Sequence, residues 1–308
     1  MRRVLSWSLL ALVIILLGTA SWLYAPDKAR AALEARHAAG QSSFINVMGV
    51  RLHVRDTGPR EAPAALLIHG FGSSLHTWED VAQGLEETHR VIRLDLPGFG
   101  LTGPDPSGDY SDLRAHAVLL ALLDVLGVER ADVIGSSMGG RIAWSLAAAH
   151  PARVRRLVLM APDGFASPGR PYGAVAQRKP LVAYVLPWTL PELMLLRMLR
   201  STYGDPERLT AETVTRTRDM LLAPGVRSAI LERMKQSGIN PPEERLRAIA
   251  APTLLIWGDK DAAIPVGHAA DYQRELRDVR LVVLLCIGHV PMEEAPGETI
   301  AALRAFLD

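Results

Sequence analysis

Gly135-Ser136-Ser137-Met138-Gly139 is preceded by Ala131-Asp132-Val133-Ile134 and followed by an Ala-rich stretch, Gly140 to His150, that stops at Pro151. A short apolar run closing on glycine reads as a buried strand, and the Ala-rich stretch reads as a helix. The whole segment is therefore strand, tight Gly-x-Ser-x-Gly turn, helix. Such a turn forces its serine into a strained, exposed position above a sheet. The small residues at 135 and 139 allow strand and helix to approach closely. The helix N-terminus aims free N–H groups toward the serine, where negative charge is welcome. A serine hydroxyl is a weak nucleophile and needs a base, which must come from elsewhere in the chain.

Outward from this turn, strands and helices alternate. Phe44 to Arg55 reads as a first hairpin around Gly49. Ala64 to Ile68 is a buried strand running into His69-Gly70-Phe71-Gly72, a loop able to leave backbone N–H groups pointing into a cleft. Trp78 to Leu85 reads as a helix and Val91 to Leu94 as a strand. That strand ends at Asp95-Leu96-Pro97-Gly98-Phe99-Gly100, a structural turn in which Asp95 bonds the backbone. Ser111 to Leu126 carries Leu119, Leu122, Leu123 and Leu126 at helical spacing, with Gly127 as its stop. Val154 to Met160 is the strand after the serine helix, and it ends at Ala161-Pro162-Asp163-Gly164. Residues 165–250 break the alternation: they are helical in pattern, rich in Leu, Met, Arg and Pro, and read as an inserted cap. Thr253 to Trp257 restores the strand pattern and ends in Gly258-Asp259-Lys260-Asp261. Leu281 to Cys286 is the last strand, ending in Gly288-His289, and Pro296 to Leu307 closes as a helix. This order predicts an α/β fold with a mostly parallel sheet and helices on both faces.

Composition narrows the function classes. The chain has 308 residues and a formal net charge of +1, so it lacks the basic footprint of a nucleic-acid partner. Its single cysteine, Cys286, cannot form an intrachain disulfide and is expected to pack in the core. No Cys/His cluster has metal-ligand spacing and no Gly-rich loop suits phosphate, so neither metal nor cofactor is implied. After Arg2 and Arg3, an uncharged run extends from Val4 to Tyr24, with Trp7, Trp22 and Tyr24 near its ends. As a helix at ~1.5 Å per residue it would be about 30 Å long, enough to cross a bilayer. Interfacial aromatics suit that reading. A signal peptide cleaved near Gly18 and Ala20 is the rival, although its apolar core would be only about 7–15 residues. The expected organisation is a membrane anchor over 1–25, a short helical linker over 26–43, a catalytic core over 44–164 and 251–308, and the cap over 165–250. The catalytic domain is expected on the extracytoplasmic side.

Four strand ends carry reactive or turn-forming groups: the 69–72 loop, Ser137, Asp259 with Asp261, and His289. In open parallel sheets, ligands bind beyond the carboxyl ends of the strands. Serine, then aspartate, then histidine is a chain order in which a base and its orienting carboxylate serve the nucleophile. With these motifs in that order, residues 44 to 308 resemble the α/β-hydrolase superfamily. The resemblance implies Ser137 as nucleophile, His289 as base, Asp261 as the acid, and the N–H groups of Phe71 and Met138 as oxyanion hole. Asp163, also at a strand end, is the rival acid. Gly70 and Trp188 are expected to contact substrate. Ser137 stands where dehalogenases and many epoxide hydrolases of the superfamily carry aspartate, which argues against both. Carbon–carbon bond hydrolases of aromatic ring-fission products often have Asn before the serine and Trp after the histidine; here these positions are Ser136 and Val290. The expectation is a lipase-like serine esterase for a hydrophobic small-molecule or lipid-like substrate. Carbon–carbon hydrolysis, a perhydrolase, or a non-catalytic binding protein on the same fold are its alternatives. The apolar stretch from Leu181 to Leu199, broken at Pro187 and Pro191, is expected to line part of the pocket.

Overall fold

The computed structural model describes residues 23–166, 171–173, 185–236, 238 and 240–308, together with Trp7, Gly18 and Ser21. Most of the uncharged 4–24 run, and residues 181–184 of the apolar stretch, lie outside the described residues. Among the described residues, no helix is long and apolar enough to cross a membrane.

Eight strands form one sheet: β1 (Ser42–Val47), β2 (Val50–Thr57), β3 (Ala64–Ile68), β4 (Arg90–Leu94), β5 (Ala131–Ser136), β6 (Val154–Met160), β7 (Thr253–Gly258) and β8 (Val279–Leu284). Their spatial order is β1-β2-β4-β3-β5-β6-β7-β8. β1 and β2 make an antiparallel hairpin, and β2 also pairs antiparallel to β4. The remaining pairings are parallel. The central strands β3, β4, β5 and β7 are buried at every position, which is why β3 and β7 read as continuous apolar runs rather than alternating ones; in β4 the buried Arg90 and Arg93 pair with Asp56 and Glu79.

Alternate side chains of these strands feed two cores. Leu66, Ile68, Val133, Leu157, Leu159 and Leu255 face helices α3 (Asp112–Val125) and α4 (Met138–Ala149) through Val118, Leu119, Ile142 and Trp144. Leu67, Ile134, Val158, Met160 and Ile256 face α2 (Glu79–Leu85) and α11 (Pro296–Leu307) through Trp78, Val81, Leu85, Leu303 and Leu307. Each fully buried Leu or Ile is worth roughly 1.5–3 kcal/mol, so both faces of the sheet must be covered for the strands to persist. Ser111 caps α3 by accepting the Arg114 N–H, as its type at that place requires.

Between β6 and β7 the described residues carry helices α5 (Glu192–Arg200), α6 (Ala211–Leu221), α7 (Val226–Gln236) and α8 (Glu243–Arg247), and no strand of the sheet. After β7 come α9 (His268–Glu275) and the short α10 (Pro291–Glu294).

The segment ahead of the sheet is helical, α1 (Arg30–His37), and it is tied down at both ends. Lys28, Arg36 and His37 converge on the buried Asp219 of α6, at 2.5, 3.3 and 2.8 Å. Asp27 accepts the Gly225 N–H and pairs with Arg227. Toward the sheet, Arg30 donates to the Leu101 carbonyl, Arg51 pairs with Glu34, and Arg55 donates to the His37 carbonyl. Residues 24–37 thus form a strap across the insertion and the hairpin.

One expectation needs correction. Cys286 does not pack in a core: it is exposed, with φ 62°, in the turn after β8, which ends two residues earlier. Arg141 at the start of α4 is buried against Asp112 at 2.6 Å, with Asp163 at 3.4 Å.

Candidate active site

Ser137 sits between β5 and α4 with φ 54° and ψ −118°, a backbone conformation unfavourable for a side chain bearing a Cβ. Three backbone bonds hold it there. Its N–H donates to the Met160 carbonyl at 2.9 Å, and its own carbonyl accepts from Arg141 and Asp163, each at 3.0 Å. The flanking glycines are required by close approach rather than by turn geometry alone. A Cβ at Gly135 would lie 2.3 Å from the Gly139 carbonyl oxygen, and one at Gly139 would lie 2.3 Å from that of Ile68. The strain is over-determined by the sheet and the helix that meet at this point.

The 69–72 loop lies against the serine. A Cβ on Gly70 would meet Ser137 Cβ at 3.3 Å and Ser137 Oγ at 3.9 Å. His69 shapes this loop. Its Nε2 accepts from the Leu96 N–H at 3.0 Å, so its Nδ1 must carry the proton donated to the Gly70 carbonyl at 2.7 Å. Complete burial pushes its pKa below the ordinary imidazole value, and the ring is neutral. Phe71 is half exposed and stacks edge-on against Phe99, which also stacks edge-on against His69. Met138 is the first residue of α4, so its N–H has no intrahelical partner. Among the described residues, no backbone carbonyl outside helices and strands accepts from the N–H of Phe71 or Met138.

His289 follows β8, and Asp261 follows β7. His289 Nδ1 and Asp261 Oδ2 are 2.7 Å apart, and both residues are buried. Asp261 is aimed by the backbone: its Oδ1 accepts from Ala263 at 2.9 Å and Ile264 at 2.8 Å. A carboxylate can only accept, so Nδ1 donates and Nε2 is left as the basic nitrogen. Asp163 instead sits by Arg141. Asp259 serves the turn, accepting the Cys286 N–H at 2.5 Å. Of the expected substrate contacts, Gly70 is beside Ser137, whereas Trp188 is 61% exposed, and its carbonyl accepts from Ala25. A cavity of about 210 Å³ flanks α4 and is lined by Arg141, Trp144, Gly164 and Arg245 among others.

The strand-end loop of His289 is anchored by a residue the motifs do not flag. Glu294 is buried, and its carboxylate accepts from the N–H groups of Gly204, Asp205 and Gly288 at 3.0, 2.8 and 2.7 Å. His289 N–H itself donates to the Thr202 carbonyl at 2.6 Å. Glu294 thereby ties the insertion to the histidine loop. The one signal in the sequence is the Glu293-Glu294 pair in a four-residue helix just after the histidine, with Glu294 five residues on.

Among the described residues no group of His, Cys, Asp and Glu could hold a metal ion. Asp95, expected to bond backbone, accepts from Leu75 and Leu101 N–H at 2.7 Å and from His53 at 2.8 Å. Burial alone would raise its pKa, but the neighbouring histidines, His53 foremost, hold it well below the usual carboxylate range.

A family profile described as the alpha/beta hydrolase fold matches residues 63–296. A 2-hydroxymuconate semialdehyde hydrolase of Pseudomonas putida is 30% identical over 80% of this chain and 86% of its own. Lipase 1 of Psychrobacter immobilis is 29% identical over 86% of this chain and 83% of its own. Among solved structures, a membrane phospholipase A superposes with a TM-score of 0.75 and 28% identity, covering 100% of this chain and 98% of that one.

Proposed function

Because the chain belongs to the α/β-hydrolase family and is a hydrolase, we propose that it cleaves an ester or similar acyl bond of a hydrophobic, lipid-like substrate. His289 Nε2 takes the proton of Ser137 Oγ as the oxygen attacks the carbonyl carbon. Asp261 holds the imidazole in the required tautomer and stabilises its cation. The N–H groups of Phe71 and Met138 receive the developing oxyanion, and Gly70 leaves room for the acyl group beside the serine. His289 returns its proton to the leaving alkoxide. Water, activated by the same nitrogen, then releases the acyl-enzyme.

The observation that carries this reading is the buried Asp261–His289 pair, beyond the same carboxyl ends of the parallel strands as a serine held in a strained elbow. One feature favours a lipid-like acyl group over a small polar one: the membrane phospholipase A, 28% identical, covers the whole of this chain. The apolar residues 185–199, expected to line the pocket, do not support it, because Val185, Trp188, Leu193, Met194 and Met198 stand exposed. In this proposal residues 165–250 are the cap, 26–43 a linker, and 1–25 a membrane anchor that keeps the domain on the extracytoplasmic side. Carbon–carbon hydrolysis of a ring-fission product is the second reading. It is favoured by the name of the Pseudomonas putida relative and opposed by Ser136 and Val290 beside the serine and histidine.

The test is a series of p-nitrophenyl esters from acetate to palmitate, run on the full chain in detergent beside a ring-fission product. Each buried methylene adds roughly 0.8 kcal/mol at full desolvation. The specificity constant is therefore expected to rise by one to two orders of magnitude from two to six acyl carbons. Ser137→Ala should abolish both this activity and labelling by a fluorophosphonate. A constant highest for acetate and falling with length, or turnover confined to the ring-fission product, would overturn the proposal.

A further inference from the structure

The strap leaves the end of the uncharged run no freedom of position. Tyr24 bridges to Thr189, and Ala25 N–H donates to the Trp188 carbonyl at 2.8 Å. Three residues on, Lys28 N–H donates to the Leu222 carbonyl at 2.8 Å and its ammonium meets Asp219. A segment leaving the domain at Tyr24 therefore starts beside Trp188, and a bilayer holding that segment must pass close to this part of the insertion.

The surface found there is apolar, and among the described residues nothing covers it. Tyr24, Val185, Trp188, Leu193, Met194 and Met198 are 55, 49, 61, 61, 54 and 48% exposed. The nine-residue α5 buries Leu195 on one side and presents Leu193, Met194 and Met198 on another, interleaved with exposed Arg197. Arg200 is exposed at its end, and Glu192 at its start. An apolar face flanked by arginines suits the boundary between acyl chains and anionic headgroups, where long cationic side chains reach up to phosphate. Water gives such a face no compensation.

We propose that this face of the insertion, Val185 to Met198 with Tyr24, docks into the lipid interface, so that the domain lies against the bilayer instead of hanging from a tether. The proposal rests on residues 4–24 being inserted in the membrane, and the occupant is the bilayer that holds them. It also places Trp188 at the lipid surface rather than against substrate.

The experiment uses the full chain in phosphatidylcholine vesicles containing anionic lipid, with and without bromine on the acyl chains. In a Cys286→Ser background, Leu193→Cys and Met194→Cys are each labelled with bimane. Val125→Cys is the control, since Val125 is 61% exposed at the end of α3, ahead of β5, on the opposite edge of the sheet. Bromine should quench the probe at 193 and 194 and leave that at 125 bright. Alkaline carbonate extraction of the same vesicles separates the two readings. A chain that stays in the membrane with its 193 and 194 probes unquenched overturns the docking alone. A chain released by carbonate overturns the anchor and the docking with it.

Discussion

The Asp261 carboxylate has three acceptor contacts: two backbone amides on Oδ1 and His289 on Oδ2. In Asp261→Asn the amide nitrogen must face either those N–H groups or the Nδ1 proton. The two backbone donors hold the oxygen, so the NH₂ faces Nδ1, which must then accept, and the imidazole takes the wrong tautomer. Turnover of a p-nitrophenyl ester should fall by roughly 10³–10⁴-fold, whereas Asp163→Asn should retain most of it. Loss confined to Asp163→Asn would reverse the assignment. At this scale the serine and histidine are legible in the sequence, because each lies in a local motif whose geometry comes from neighbours along the chain. The choice of Asp261 over Asp163 and Asp259 rests on the resemblance alone, with no local motif to fix it. All three follow strands, and only the packing of neighbouring loops decides which carboxylate faces the imidazole. Cys286 is exposed for a related reason that the sequence does not record: an apolar run looks the same whether it stays in the strand or turns out after Leu284.

Elements meet at the histidine loop. The three backbone amides on Glu294 come from two separate segments, residues 204–205 and Gly288. A glutamine there would point one NH₂ at N–H donors. Glu294→Gln is expected to cost about 1–3 kcal/mol and to lower kcat more than KM, because the histidine moves while substrate contacts remain. Thermal melts and steady-state kinetics read both. An unchanged melting temperature and kcat would show that the carboxylate does not hold the loop. Most elements were legible because the parallel strands are continuous apolar runs and the helices carry capping and stop signals. Glu294 was not, since a carboxylate satisfied by backbone amides leaves no partner residue to find in the sequence.

For the whole molecule, the strap decides how the insertion sits on the sheet domain. A chain starting at residue 41 would leave Asp219 buried without Lys28, Arg36 and His37. Removing the partners of a buried charge costs roughly 3 kcal/mol or more. Compared with a chain starting at residue 25, its melting temperature should fall by roughly 6–12 °C. Asp219→Asn in the shorter chain should recover part of the loss. Equal melting temperatures would mean that the strap carries no load. The sequence by itself determined the α/β order, the elbow serine, the strand-end histidine and the uncharged N-terminal run, because each depends on residues within a turn or two of one another. Only the tertiary structure decided that Asp261 faces His289, that Glu294 ties the insertion to the histidine loop, and that residues 24–37 are a docked strap. Those contacts join residues from about 30 to nearly 200 positions apart, and no local periodicity records which distant partners the burial of a charge will bring together.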